Sequence, residues 1–428
     1  MAIISISDSY VNSADQILVA DASGKIPAKD GSQITVLNAT NISSGTVATA
    51  RLDTGTTAGK LVVLDGSGNL PAVDASLLTG IVSATISASD PTISTNPSGG
   101  VGTEWNNSTS GAMFICTDAT AGENVWKNVG AGSGDVLPYT FQGTQYGYTH
   151  GGEGPNTSTD RNEIDKWPFA SDANATDVGN LTTGTDYPSG ASSTTHGYMG
   201  GARGSPRIEK YSFTTDGNAT SVGTLAIANA NSASGVSSAD NGYHNGGWDY
   251  TAVAVSNVKQ KYSFTTDGNS TDAGDLSVTR LQTGGHTDTV YGYTTCGAYT
   301  STNYNVIDRY PFASDGNSVD VGDMTVAHHR MGGSSSLTHG YCTGGGGLDV
   351  IDKFAFGSSA TGSDVGNLPS SSNHYGLSGH SSTTHGYATS VGGLYSNQIC
   401  KYSFTTDGNS TDVGDLTVAR SYVAGTHV

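Results

Sequence analysis

Basic residues are scarce in this sequence, with 18 lysines and arginines against 37 aspartates and glutamates. The formal charge of −19 repels phosphate backbones and anionic lipid, so nucleic acid is not an expected partner. No apolar run approaches the roughly 18 residues that a membrane helix needs. The opening "MAIISISDSYVNSADQ" lacks the basic segment and apolar core of a secretory signal, so neither membrane insertion nor a signal is expected. Cysteine is rare too: Cys116, Cys296, Cys342 and Cys400 stand far apart with no CxxC spacing. They read as buried or half-buried thiols in strands rather than a metal or redox site. G-x-S-x-G, HExxH and the P-loop are all missing, so the chain reads as a non-enzyme that needs no cofactor.

What the chain has is glycine (60), tyrosine (21) and abundant Ser and Thr, with only 13% charged residues. That composition favours short strands and tight turns over helices, and all-β is the expected class. At 428 residues there is room for two or three domains.

A repeat organises the C-terminal two thirds. Gly-Tyr recurs at Gly147-Tyr148, Gly197-Tyr198, Gly242-Tyr243, Gly292-Tyr293, Gly340-Tyr341 and Gly386-Tyr387, a spacing of about 45 to 50 residues. A phenylalanine follows each (Phe169, Phe213, Phe264, Phe312, Phe356, Phe404), usually in an alternating K-Y-S-F or K-W-P-F run that reads as a strand. Each unit offers four strands: a Gly/Ser-rich stretch, "HGYxxGG", "IxKYxF" and "VGDLTV". Such a sheet cannot bury both faces alone, so copies must stack, and a ring of radial sheets also hides their edges.

The units resemble the kelch repeat of β-propellers. The resemblance rests on the pairs Gly151-Gly152, Gly200-Gly201, Gly246-Gly247, Gly344-Gly345 and Gly392-Gly393, the tyrosine before them, the aromatic strand, and Arg280, Arg330 and Arg420 opening the next unit. One unit has Cys296-Gly297 in place of the pair, and the family's late Trp is Leu or Met here. The resemblance implies a six-bladed propeller over 135–428. The terminal "SYVAGTHV" aligns with a first strand and is expected to complete the first blade, with "YTFQGTQ" as its competitor.

"TTDGNSTDVGD" places Asp407, Asn409, Asp412 and Asp415 at calcium-like spacing, matched by Asp267, Asn269, Asp272 and Asp275. No terminal Glu closes the loop, and one unit ("GSSATGSDVG") dispenses with the motif. Asp-Gly-Asn is also hairpin chemistry, and we read it as a turn, with calcium as the alternative and no metal site assigned. The segment resembles the Asp-box of sialidase propellers but lacks its aromatic.

Strand alternation puts the 1-2 and 3-4 connections on one face and the 2-3 and 4-1 connections on the other. The 2-3 loops differ in every unit, as a binding face would. They carry Arg203, Arg207, Trp248, Asp249, Tyr250, Tyr299, Tyr304 and Tyr395, joined from 4-1 loops by Tyr187, His328, His329, Asn373 and His374. Aromatics among amides, carboxylates and Arg suit sugars. The plain alternative is that these loops drift and their aromatics plug gaps. His196, His339 and His385 of the repeated "THGY" read as framework, and a paired-carboxylate glycosidase would draw on Asp249 with Glu153 or Asp349.

In the first third, "ILVADASGKIPAKDGSQIT" is echoed by "LVVLDGSGNLPAVDASLLT", with too little core for a lone globule. "GSQITVLNATNISSGTVATARLDTG" resembles segments of bacteriophage tail-fibre and related virion proteins, in which such repeats form trimeric stalks. "GTEWNNSTSGAMFICTDATAGENVWKNVG" is similar to a small β module of the same proteins, with Trp105 and Trp126 expected in its core. The resemblance implies a stalk for virion attachment and trimerisation (1–82), a small β module (83–134) and the propeller (135–428). The implied protein is a virion fibre or spike subunit, assembled in the host cytoplasm and exposed on the particle. It is a homotrimer bound to other tail or capsid proteins, and its propeller recognises a host surface glycan. A structural decoration protein of the capsid or tail is the alternative, and a glycan-cleaving propeller is a third reading.

Overall fold

The computed structural model describes residue 22 and residues 84–129, 139–155, 160–227, 229–230, 233–357, 359–369 and 374–428. The chain divides into two compact units, Met1–Ser83 and Ala84–Val428. The described residues are all-β, without a helix. Apart from residue 22, the stalk expected at 1–82 lies outside them.

The second unit begins with β1 (Thr85–Ser87), β2 (Glu104–Asn107), β3 (Met113–Asp118) and β4 (Val125–Asn128), with β1 parallel to β2 and the rest antiparallel. Trp126, Phe114 and Cys116 fill its core, and Trp105 packs edge-on against Trp126 at 5.8 Å. Trp105 stays half-buried because its Nε1 donates to the Ser89 carbonyl at 2.9 Å.

Six larger sheets follow, antiparallel except where Ala360–Thr361 joins the edge of the fourth in parallel, together with a two-stranded hairpin of Ala298–Tyr299 and Thr302–Asn303. Sheet I holds Tyr146–His150, Glu163–Pro168 and Thr176–Asn180, and its innermost strand is the C-terminal Ala424–His427. Thr426 pairs with Tyr148, so the end of the chain completes the first sheet, as its alignment with a first strand led us to expect. Sheets II to VI start at Ser189–Ser192, Ser234–Ser237, Gly284–Thr287, Gly332–Ser335 and Ser378–Ser381, and each runs outward through three further strands, to which Asn229–Ala230 adds in sheet III and Ala360–Thr361 in sheet IV. Those first strands adjoin one another in a closed circuit that passes from VI through Ala424–His427 to II.

Glycine makes that circuit possible. A Cβ on Gly235 would collide with the Gly190 carbonyl, and the same holds for Gly285 on Gly235, Gly333 on Gly285, Gly379 on Gly333, Gly425 on Gly379 and Gly190 on Gly425. Each missing side chain is replaced by the neighbouring backbone, which sets how closely the sheets approach their common axis.

Further out, the Gly-Tyr repeat explains itself. The glycine faces an aromatic on the third strand, as Gly197 faces Tyr211, and the ring occupies the space a Cβ would take. The tyrosine beside it meets the phenylalanine of the next sheet: Tyr148 and Phe213 at 4.8 Å, Tyr198 and Phe264 at 4.7 Å, Tyr243 and Phe312 at 5.4 Å, Tyr293 and Phe356 at 4.8 Å, Tyr341 and Phe404 at 4.8 Å. Tyr387 closes the series on Phe169 of sheet I at 4.9 Å. Each pair contributes about 0.5–1.5 kcal/mol beyond its area burial.

The Asp-Gly-Asn segments are turns that also fasten one sheet to the next. Asp216, Asp267 and Asp407 sit at φ near +50°, each followed by a left-handed glycine. Their carboxylates receive the third-strand lysine of the preceding sheet: Lys166 to Asp216 at 3.0 Å, Lys210 to Asp267 at 2.5 Å, and Lys353 to Asp407. Lys261 reaches Asp315 at 2.6 Å, and Lys401 returns to Asp172 of sheet I. The turn asparagine accepts a backbone N–H from the same neighbour, as Asn269 does from Thr224 at 3.0 Å. Sheet V lacks the motif, and there the preceding cation is Arg309, stacked on Tyr291 at 4.5 Å. Among the described residues no cluster of acids, His and Cys is arranged to hold a metal.

Candidate functional site

The two ends of the common axis differ among the described residues. At the 1-2 end, a cavity of about 60 Å³ is lined by Ser192, Ser237, Thr287, Ser335 and His427, with Phe141 against it. Residues 141–143 are fastened across this end. Gln142 Nε2 donates to the carbonyls of Ser382 (2.9 Å) and Ser335 (3.1 Å), Gly143 N donates to Ser381 O (2.8 Å), and His427 Nε2 donates to Phe141 O (2.7 Å). "YTFQGTQ", the competitor for ring closure, therefore covers the axis instead of forming the first strand.

The other end carries the 2-3 and 4-1 loops. The 4-1 connectors place Tyr187, Gln282, Arg330 and Tyr422 at φ between 55° and 63°, each two residues before a first strand, with Gly376 at the equivalent place. A belt of backbone bonds holds these left-handed residues. Tyr187 N donates to Tyr422 O (3.1 Å), Tyr422 N to Gly376 O (2.8 Å), Gly376 N to Arg330 O (3.1 Å) and Arg330 N to Gln282 O (3.0 Å). Non-glycine residues in this conformation cost on the order of 1–3 kcal/mol each and persist only where their surroundings hold them. Inside the belt lies a cavity of about 80 Å³ lined by Pro188, Arg330 and Tyr422.

Aromatics and arginines crowd this mouth. Tyr187 and Tyr422 stack at 4.2 Å, Arg203 lies over Tyr187 at 5.0 Å, and Arg330 lies between Tyr375 (5.6 Å) and Tyr422 (5.5 Å). Arg203 pairs with the buried Asp186 at 2.7 Å. Burial pushes the Asp186 carboxyl up to about 6; Arg203 opposes this, and Asp160 and Glu153 add to it. Glu153 in turn accepts from the Tyr395 hydroxyl at 3.4 Å. Beside the mouth runs a larger groove, about 380 Å³, lined by Trp248, Gln282, Thr300, Asn303, His329 and Arg330.

Of the residues singled out in the sequence, the structure brings Trp248 and His329 into the groove, and Arg203, Tyr187 and Tyr395 to the mouth. Tyr250 is 39% exposed and lies within electrostatic reach of Arg203, and Tyr299 is 43% exposed on its hairpin. Tyr304 is half-buried, its backbone bonded to Gly297 O at 2.8 Å. Asp249 accepts from the N–H groups of Thr251 and Ala252 and so shapes its own loop. Arg207 is turned inward, 2.9 Å from Glu209, and works for the fold rather than the face. His374 is fully buried, accepting from Gly392 N at 3.2 Å, and Asn373 lies outside the described residues. The "THGY" histidines each bond the threonine before them, as Thr195 and His196 do at 2.8 Å.

The connector arginines need a correction. Arg280 and Arg420 are fully buried and reach Asp308 (2.9 Å) and Asp165 (3.2 Å) on the third strand of the next sheet. His328, not Arg330, takes the equivalent place, with Nε2 3.3 Å from Asp352. Burial draws the His328 pKa down, but Asp352, Cys296 and the Gly344 carbonyl prevail and raise it. Arg330 stands two residues later, where the other connectors carry Gln282 and Tyr422. The sequence signal for this was the run "HHR", in which three polar residues compete for one alignment.

No family model matches the chain, and no curated protein matches it. A solved structure of YjhT aligns with 13% identity and a TM-score of 0.48 over 56% of this chain and 86% of that one.

Proposed function

We propose that the six sheets are the blades of a six-bladed, kelch-like β-propeller and that the chain is a phage virion fibre or spike subunit whose loop face binds a host surface glycan. The closed circuit of first strands supports the propeller. The site reading is carried by the groove on the loop end of the axis, where Trp248 and the amides Gln282 and Asn303 line a space in the volume range of small-molecule sites, about 300–1,000 Å³. An indole suits the C–H face of a sugar, and amides suit its hydroxyls. In this reading residues 1–82 attach to the virion and trimerise, residues 83–134 link, and three weak sites on one stalk act together at high effective concentration.

The test is binding of the intact, fluorescently labelled protein to host cells and to their extracted surface polysaccharide, beside Trp248→Ala. Saturable binding that the variant loses supports the reading. A protein that binds neither cells nor polysaccharide, yet associates with purified tail or capsid proteins through the loop face, is a decoration protein instead.

A further inference from the structure

We infer that the groove takes an acidic sugar residue, with Arg330 receiving its carboxylate or sulfate ester and Trp248 packing on its ring. This rests on the glycan reading above and narrows it to one ligand chemistry.

Arg330 and Arg309 rest on aromatic rings and, unlike the other described arginines, form no ion pair among the described residues. Arg161, Arg203, Arg207, Arg280 and Arg420 each face a carboxylate of this chain. Arg330 has no acidic partner among the described residues, and its Nε is buried without a hydrogen bond. Its nearest neighbours are rings, Tyr375 and Tyr422, and one long contact from Nη1 to the Tyr422 hydroxyl at 3.5 Å. A buried guanidinium nitrogen left without a hydrogen bond is costly in itself.

That cost is maintained by a rigid frame. The Arg330 backbone is left-handed at φ 63°, its N–H bonds Gln282 O, and its carbonyl accepts from both Gly376 and Leu377. Residues held so firmly in an unfavourable conformation recur at binding sites. Arg330 is also the charged residue common to the axial cavity and the groove.

The groove excludes acids. The chain carries −19, yet no aspartate or glutamate lines this cavity among the described residues. His329 and Arg330 share its lining with Trp248, Gln282, Thr300 and Asn303. A neutral sugar would leave the guanidinium unanswered, whereas a planar carboxylate or a sulfate ester matches its fork of donors. A polyanion such as nucleic acid would meet the acidic remainder of the surface, so an isolated anionic group on an otherwise neutral glycan fits best.

The experiment is calorimetry on the full-length protein with four probes: uronate-containing oligosaccharides, their carboxyl-reduced forms, sulfated galactan oligosaccharides, and their desulfated forms. We expect one acidic series to bind about ten- to hundredfold more tightly than its neutral counterpart, the range of one charge-assisted hydrogen bond. The series that does so identifies the carboxylate or the sulfate. Arg330→Gln should abolish that preference, Arg330→Lys should keep part of it, and Trp248→Ala should weaken acidic and neutral probes alike. The wild-type comparison stands even if Arg330→Gln does not fold. Equal affinity for acidic and neutral forms overturns the acidic preference and leaves the glycan reading intact. No binding of any saccharide overturns both.

Discussion

The guanidinium of Arg420 lies 3.2 Å from the carboxylate of Asp165, 255 residues earlier in the chain, and both side chains are fully buried. Thr417, three residues before Arg420, also donates to Asp165 through its backbone N–H at 2.9 Å and its hydroxyl at 2.6 Å. The last sheet is thus joined to the first by a charge-assisted network, in parallel with the strand that the C-terminus adds to sheet I. Arg280 and Asp308 repeat the arrangement between sheets III and IV.

Breaking this closure should be expensive. Arg420→Met leaves Asp165 buried without its cation, and we expect a loss of about 3–5 kcal/mol in denaturant unfolding. Asp165→Asn should cost a similar amount, and the double variant much less than the sum. A double-mutant cycle with no coupling would falsify the closure role.

At the axis, Gly235→Ala places a methyl against the Gly190 carbonyl. Overpacking of a rigid site costs about 1–3 kcal/mol. A thermal unfolding midpoint equal to that of the parent would mean that the axis yields more easily than the glycine circuit implies.

The Asp-Gly-Asn turns should be indifferent to calcium. Their carboxylates already face lysines across the sheet boundary, so neither calcium nor a chelator should move the unfolding midpoint. Asp407→Ala should cost about 0.2–1 kcal/mol, the range of a partly exposed ion pair. A calcium-dependent rise in the midpoint that Asp407→Ala removes would restore the metal reading.

Acid should loosen the fold. Burial holds His150, His244 and His380 at about 3 and His286 at about 4, while Arg420 further lowers His150 and His427 further lowers His380. Their folded pKa values lie below the unfolded one, so their contribution is complete above about pH 6.5 and is lost as pH falls towards 3 or 4. Each contributes a slope of up to about 1.4 kcal/mol per pH unit in that window. Asp186 acts in the opposite sense, because its raised pKa favours the folded state at low pH and that contribution fades as pH climbs from about 4 to 6. Four histidines outweigh one aspartate, so stability should fall from pH 6.5 to 4, and fall more steeply in Asp186→Asn. Unfolding measured across that range tests both signs.

Much of the architecture was legible because each repeat solves the same local problem. Gly197 must be glycine because Tyr211 covers it, and that pairing recurs visibly along the chain. Contacts between repeats were harder to read. Asp267 looks like a turn residue from its neighbours alone, and its lysine, Lys210, lies 57 residues away. Arg207 looked like a ligand-facing cation because nothing local shows that Glu209 turns it inward. Arg330 was aligned with Arg280 and Arg420 because the chemistry matched, but the backbone gives their place to His328. Loop variability singles out the loops that carry Trp248, but it does not reveal that Gln142 and Gly143 are bonded across the opposite end of the axis.

The decisive measurement is competition for particle adsorption. The intact protein and a variant with Trp248, Tyr250 and Tyr395 changed to Ala would be added in excess to host cells before the phage particles, and free particles counted. A host receptor-binding face requires that the intact protein block adsorption and that the variant, folded to the same unfolding midpoint, fail to do so. If the intact protein leaves adsorption unchanged, or the variant blocks equally well, the loop face is not the receptor-binding surface.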